Sequence, residues 1–193
     1  MQAGFILILC ALVQARDEAK LRAEFSAEFK SKEAAKRVEA LKKLERCTEE
    51  KTIEALAGGL KDPEKEVKKT AADVIATCTD GAGAAIKALC AALVDKKEDP
   101  DVRYACAKAL AKARYKTEAV NAMIDTISGI ENSDRHLHEF GKNVTVLLEG
   151  VTGESFSYGK TTPGLWQFWW KENRPKYEKA DETKRAEYKK EKK

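Results

Sequence analysis

The sequence predicts an all-α solenoid of about three to four stacked helical hairpins, closed by a capping helix at each end. An apolar triplet at helical spacing is the first sign. Ile53, Leu56 and Leu60 recur as Ile86, Leu89 and Leu93, and again as Val120, Met123 and Ile127, at intervals of 33 and 34 residues. A second pattern is interleaved with it. Ala34, Val38 and Leu41 recur as Val67, Ala71 and Val74, as Val102, Cys106 and Ala109, and as Leu137, Gly141 and Val144. Residues three and four apart share a helix face. A period of a few tens of residues marks repeats that bury their apolar faces only by stacking. No stretch alternates apolar and polar residues over a strand's length with Val, Ile and Thr enrichment.

In chain order, residues 17–30 read as a helix with Leu21, Phe25 and Phe29 on one stripe. Such a stripe needs a surface. It is read as a cap on the first repeat, because an open solenoid end must be covered, with a docking helix for another protein as the alternative. Repeat helices are predicted at 32–46, 49–61, 64–78, 83–95, 100–113, 116–130 and 134–149. Asp62-Pro63 and Asp99-Pro100 precede the second and third first-helices, as an N-cap followed by a first-turn proline. Gly81-Ala82-Gly83 punctuates the second hairpin. A fourth first-helix follows, but no ordinary second helix.

Where a fourth triplet belongs, near residues 154–162, the chain instead runs to Thr162-Pro163 and then Leu165 to Trp170. All three tryptophans of the chain lie there, and Trp166, Trp169 and Trp170 share one helix face. With Phe168 they form an aromatic cluster that is read as a seal over the last repeat. Sugar stacking and a protein hot spot are the alternatives. From Lys176 to Lys193 the composition cannot bury a core, so this segment is expected to be disordered or a frayed, solvated helix.

These residues resemble a known family. Lys61-Asp62-Pro63-Glu64-Lys65-Glu66-Val67 with Ala71-Ala72 and Val74-Ile75 is similar to the HEAT-repeat consensus, in its short bacterial, lyase-type form. Asp99-Pro100-Asp101-Val102-Arg103 with Cys106-Ala107 and Ala109-Leu110 is similar too. The first repeat departs from the pattern by lacking Asp-Pro, and the fourth by carrying Gly141 in place of alanine. Val151-Thr152-Gly153, Phe156-Ser157-Tyr158-Gly159 and a tryptophan-rich helix ending Glu172-Asn173-Arg174 resemble a C-terminal signature of secreted bacterial HEAT-repeat proteins. The resemblance implies a scaffold whose second helices line a binding face. It places Glu54, Lys87 and Asn121 on that face in register, with Asp125 beside the last, facing a polar protein or peptide.

The division that follows is a signal peptide at 1–15, a cap at 16–30, repeats at 31–149, an aromatic cap at 150–174 and a charged tail at 175–193. The apolar run from Gly4 to Val13 is too short to cross a bilayer, which takes about 20 residues. Val13-Gln14-Ala15 supplies small residues for cleavage after Ala15. The expected location is therefore periplasmic or secreted, or cytoplasmic if the run is not cleaved. Formal net charge is +4, and residues 171–193 hold ten Lys/Arg against six Asp/Glu, which leaves the body neutral. No nucleic-acid partner is expected, and the basic tail is the one part suited to an anionic surface.

Cys47, Cys78, Cys90 and Cys106 follow the leader, with no C-x-x-C pair. If an oxidising compartment forces one bridge, Cys90 and Cys106 are the pair expected. His136 and His138, two apart on a helix, point to different faces and cannot clamp one metal. No nucleophile elbow or phosphate loop appears. No catalytic residue, metal or cofactor is expected. The leading function is a non-enzymatic scaffold, with glycan or envelope-polymer binding through the tryptophans as the alternative. A HEAT-like lyase or enzyme subunit ranks third.

Overall fold

Nine α-helices and no strand occur among the described residues of the computed structural model, which are 17–78, 82–130 and 135–191. The apolar run Gly4–Val13, the cleavage position at Ala15 and Gly81 lie outside them. The helices are α1 (Glu18–Glu28), α2 (Ala34–Lys42), α3 (Glu50–Gly58), α4 (Lys65–Ile75), α5 (Ala82–Val94), α6 (Pro100–Ala111), α7 (Thr117–Ser128), α8 (Arg135–Thr152) and α9 (Thr162–Glu191). Gly59–Lys61 adds a 3-10 turn to α3.

Two layers result. First helices α2, α4, α6 and α8 stack on one another, and second helices α3, α5, α7 and α9 stack alongside. Both repeating patterns lie in the core between them. Leu41, Leu56, Val67, Leu89, Val102, Cys106, Val120 and Met123 are completely buried. The 3-10 turn approaches α4 so closely that a methyl on Gly59 would stand 2.8 Å from Ala71 Cβ, which is why the small residue sits there. The stripe on α1 packs as a cap. Phe25 is buried, Leu21 and Phe29 are partly buried, and the helix rests on α2 and α3.

Charged side chains tie the repeats together. Asp99 caps α6 through the Asp101 N–H at 2.8 Å, with Pro100 in the first turn, as the sequence predicts. Asp62 does something else. Glu64 occupies the N-cap position of α4, and the Asp62 carboxylate is turned inward to meet Arg37 of α2 in a forked pair at 2.7 and 2.8 Å. Both residues are buried. The guanidinium is completed by the Ser31 and Lys32 carbonyls, and the carboxylate by the Glu64 N–H. Burial pushes the Asp62 carboxyl up, but its hydrogen bonds from Arg37 and Glu64 outweigh that and hold it below its ordinary value.

Lys68 reaches Glu98 ahead of the next repeat at 2.6 Å, Lys65 reaches Asp99 and Asp101, and Lys108 reaches back to Asp73. The charges that look like a solvated helix face therefore bridge successive repeats.

The charged tail, expected to be disordered or a frayed, solvated helix, is helical, and what its composition does not show is that it docks. Residues 175–191 continue α9 as a helix, and they dock on the body. Composition hides this because a few spaced side chains make the contacts.

Candidate functional site

The cap at the end of the stack decides which surfaces stay open. After α8 the segment 153–161 returns along that helix, bringing the Tyr158 ring edge-on to His138 at a centroid distance of 4.9 Å and its hydroxyl against Gly141. A methyl on Gly141 would collide with Tyr158 and stand 2.8 Å from Ile130 Cδ1, so the departure from the alanine consensus makes room for this return. Thr162, the first residue of α9, is fully buried. Its hydroxyl accepts from the Gly159 N–H and donates to the Ser157 carbonyl, both at 2.6 Å, pinning the loop.

The return reverses α9. Gln167 meets Ser128 at the C-terminal end of α7, Trp170 meets Asn121 near its middle, and Asp181 meets Lys116 and Thr117 at its start. The helix thus fills the fourth second-helix position but runs opposite to α7, whereas Cys90 beside Glu118 and Leu93 beside Thr126 show α5 and α7 running in the same direction.

Trp166 is completely buried, Trp170 nearly so, and Trp169 partly so. Trp166 meets Phe156 and Trp169 edge-on at 4.8 and 5.6 Å. The Trp170 indole N–H donates to Asn121 Oδ1 at 3.2 Å. That of Trp166 has no partner among the described residues. The seal reading fits this burial. A three-indole sugar platform does not, because two of its rings are inside, and Phe168 is the ring of the cluster that faces solvent, at 71 % exposure.

The four candidate contacts part company. Asn121 is spent on the seal, accepting from Trp170 and donating to Asp125 at 2.7 Å. Asn121 and Asp125 line a smaller recess with Cys90 and Arg174. Glu54 and Lys87 are exposed and line a cleft of about 820 Å³. Glu50 and Glu54 of α3 form its acidic wall, Arg185, Lys189 and Lys190 of α9 its basic wall, and Ala84, Ile86 and Tyr115 add small and apolar surface. Sequence reasoning missed the basic wall, since it lies in the segment read as a loose tail. The spacing of Asp181, Lys184, Arg185 and Tyr188 at i, i+3, i+4 and i+7 was the available signal.

Cys90 and Cys106 are separate thiols rather than a bridge. Burial pushes both up to about 12, so the thiolate that would attack or oxidise is scarce. Cys90 donates to the Glu118 carbonyl at 3.6 Å. Among the described residues, no group of three or more His, Cys, Asp or Glu is arranged to hold a metal ion, and no helix is long and apolar enough to cross a membrane.

A family model for HEAT repeats matches residues 23–111 and, in a second overlapping register, 53–135. The two matches together cover more than half of the 193 residues. No curated protein and no solved structure matches the chain.

Proposed function

The chain belongs to the HEAT-repeat family, and from that premise we propose that it is a non-enzymatic scaffold holding a protein or peptide partner in the cleft between α3, α5 and the end of α9. The cleft itself carries the reading. An acidic wall faces a basic one across small and apolar side chains, which suits a peptide that carries both charges and one or two apolar anchors. The cap takes up Asn121, and Asp125 lines only the smaller recess, so Glu54 and Lys87 are the candidate contacts in the larger cleft.

The double variant Glu54→Lys/Lys87→Glu keeps the net charge and inverts the pattern. Partner recovered on the wild-type chain should fall about ten-fold or more on this variant, with the melting temperature unchanged, because misplaced charges cost interfaces specificity and on-rate. Equal recovery would sink the cleft as the binding surface.

Export to the periplasm or beyond is part of the proposal, on the strength of the apolar run and Val13-Gln14-Ala15. N-terminal sequencing of the protein purified from its own cell is expected to begin at Arg16. A chain still starting at Met1 would place it in the cytoplasm.

A further inference from the structure

The distal half of α9 is attached differently from the proximal half. Residues 162–174 carry the buried indoles. Pro175 follows inside the helix, and having no N–H it cannot donate to the carbonyl of the preceding turn. Tyr177 packs on Trp169 and Trp170, and beyond it no hydrophobic residue packs on the core among the described residues.

What holds residues 178–191 is polar. The Asp181 carboxylate accepts from the Lys116 N–H, the Thr117 N–H and the Thr117 hydroxyl at 3.1, 2.8 and 2.7 Å. It thereby caps α7, whose own N-cap residue, Lys116, offers no acceptor. Arg185 pairs with Glu118 and lies over the Tyr115 ring, Lys184 donates to the Arg114 carbonyl, and Arg114 lies over the Tyr188 ring.

Asp181 is buried, but the other anchors are exposed or half-exposed, where ion pairs are weak and salt-screened. Lys184 also sets a like charge beside Lys116, whose ammonium is pushed below its ordinary value by burial and then by Lys184, against the pull of Asp181. A helix of this length, without an apolar face, has little stability of its own.

We propose that residues 176–191 form a detachable arm that serves as the cleft's own ligand, and that the partner is a helix of the same chemistry, with one carboxylate to cap α7 and a basic side chain one turn later to meet Glu118. The arm occupies the basic side of the cleft, and a partner helix that displaces it brings its own basic side chains to that side, against Glu118 and the start of α7, with Glu54 and Lys87 alongside. A competing helix replaces the polar contacts of residues 178–191 and the edge of Tyr177 on Trp169 and Trp170, while the indoles themselves stay inserted. This rests on the cleft being the binding surface.

The probe is a labelled synthetic peptide of residues 176–191, added to the full-length chain. Asp181→Ala loosens the arm in cis, and Arg185→Glu does so without touching the cap of α7, so one variant remains informative if the other misfolds. The Asp181→Ala chain is expected to bind the peptide roughly five-fold more tightly than wild type does, the scale of one lost cap, and the Arg185→Glu chain roughly two-fold or more, the scale of a lost exposed ion pair. Peptide carrying the Asp181→Ala change should bind each variant roughly five-fold more weakly than the unchanged peptide does. In wild type, amides of residues 176–191 should exchange with deuterium well before those of Trp166–Trp170. Equal exchange in the two segments, or no gain in peptide binding by either variant, overturns the arm. If the arm detaches but the Glu54/Lys87 inversion leaves partner recovery intact, the cleft reading falls and the arm stands. If the inversion abolishes recovery while the arm stays fixed, only the arm falls.

Discussion

Replacing Trp166 with alanine is expected to destabilise the protein by about 3–5 kcal/mol, the range for removing a buried aromatic side chain. For a chain of this size that corresponds to a melting temperature lower by roughly 6–20 °C. The cost arises because Trp166 is completely buried where the fourth triplet is missing, with Phe156 and Trp169 packed on its edges. Alanine leaves a cavity at the open end of the stack, and the Thr162-pinned loop cannot collapse into it without moving Tyr158 off Gly141. Trp166→Phe should cost much less. It keeps a ring and removes an indole N–H that has no partner among the described residues. Phe168→Ala, on the exposed side, should stay within about 0.5 kcal/mol of wild type. Thermal unfolding followed by far-UV circular dichroism ranks the three. A Trp166→Ala protein that melts with wild type would mean that the indoles do not seal the core.

The second large effect is at Asp62. Asp62→Ala strands the buried Arg37 guanidinium and the Glu64 N–H, and is expected to cost about 2–4 kcal/mol. The lower part of the range for a broken buried pair applies because Arg37 keeps the Ser31 and Lys32 carbonyls. The pair also predicts a pH dependence. Asp62 is held below its ordinary carboxyl value in the folded protein, so its contribution is present above its unfolded pKa of about 3.9 and is lost as the pH falls through the folded value.

Glu18 acts in the same sense. Its buried carboxylate accepts from Thr48 and Glu49 ahead of α3, and those bonds outweigh the burial that raises its pKa. Asp99 is likewise lowered, with burial again opposed by Lys65 and the Asp101 N–H. Urea unfolding at a series of pH values should therefore show wild-type stability falling below about pH 4. The Asp62→Asn curve should start lower and fall less. A wild-type curve flat to pH 3, or parallel curves for the two proteins, would remove Asp62 from the account.

The two ends of the solenoid share a device. Glu18 reaches from α1 to the residues that open α3, and Asp181 from α9 to those that open α7. Neither α3 nor α7 has a side-chain cap of its own. Each end helix thus closes the stack partly by lending a carboxylate to backbone N–H groups that a neighbouring hairpin leaves open.

The repeats were legible in the sequence because both apolar patterns are local, and stacking follows once each helix has one wet and one dry face. The cap on α1 and the burial of the tryptophans were legible for the same reason. The reversal of α9 was not. It depends on a loop whose only outward sign is Gly141 in an alanine position, and on Tyr158 landing there from 17 residues away. Nor did the sequence reveal that Asn121 would be drawn into the cap, since register assigns a face to a helix position without saying which later segment covers it. The docking of the tail is hidden in its composition, because a low share of apolar residues describes what cannot form a core, and docking through Asp181, Lys184, Arg185 and Tyr188 needs none.

The central claim is that binding belongs to the cleft, and that the aromatic end of the stack is structural. A photo-reactive amino acid placed at Lys87 in one chain, and at Phe168 in another, tests it in the cell. Irradiation should give a covalent partner adduct from position 87 that is absent from position 168. An adduct from position 168 with none from position 87 would move the function to the outer face of the tryptophan helix and contradict the account.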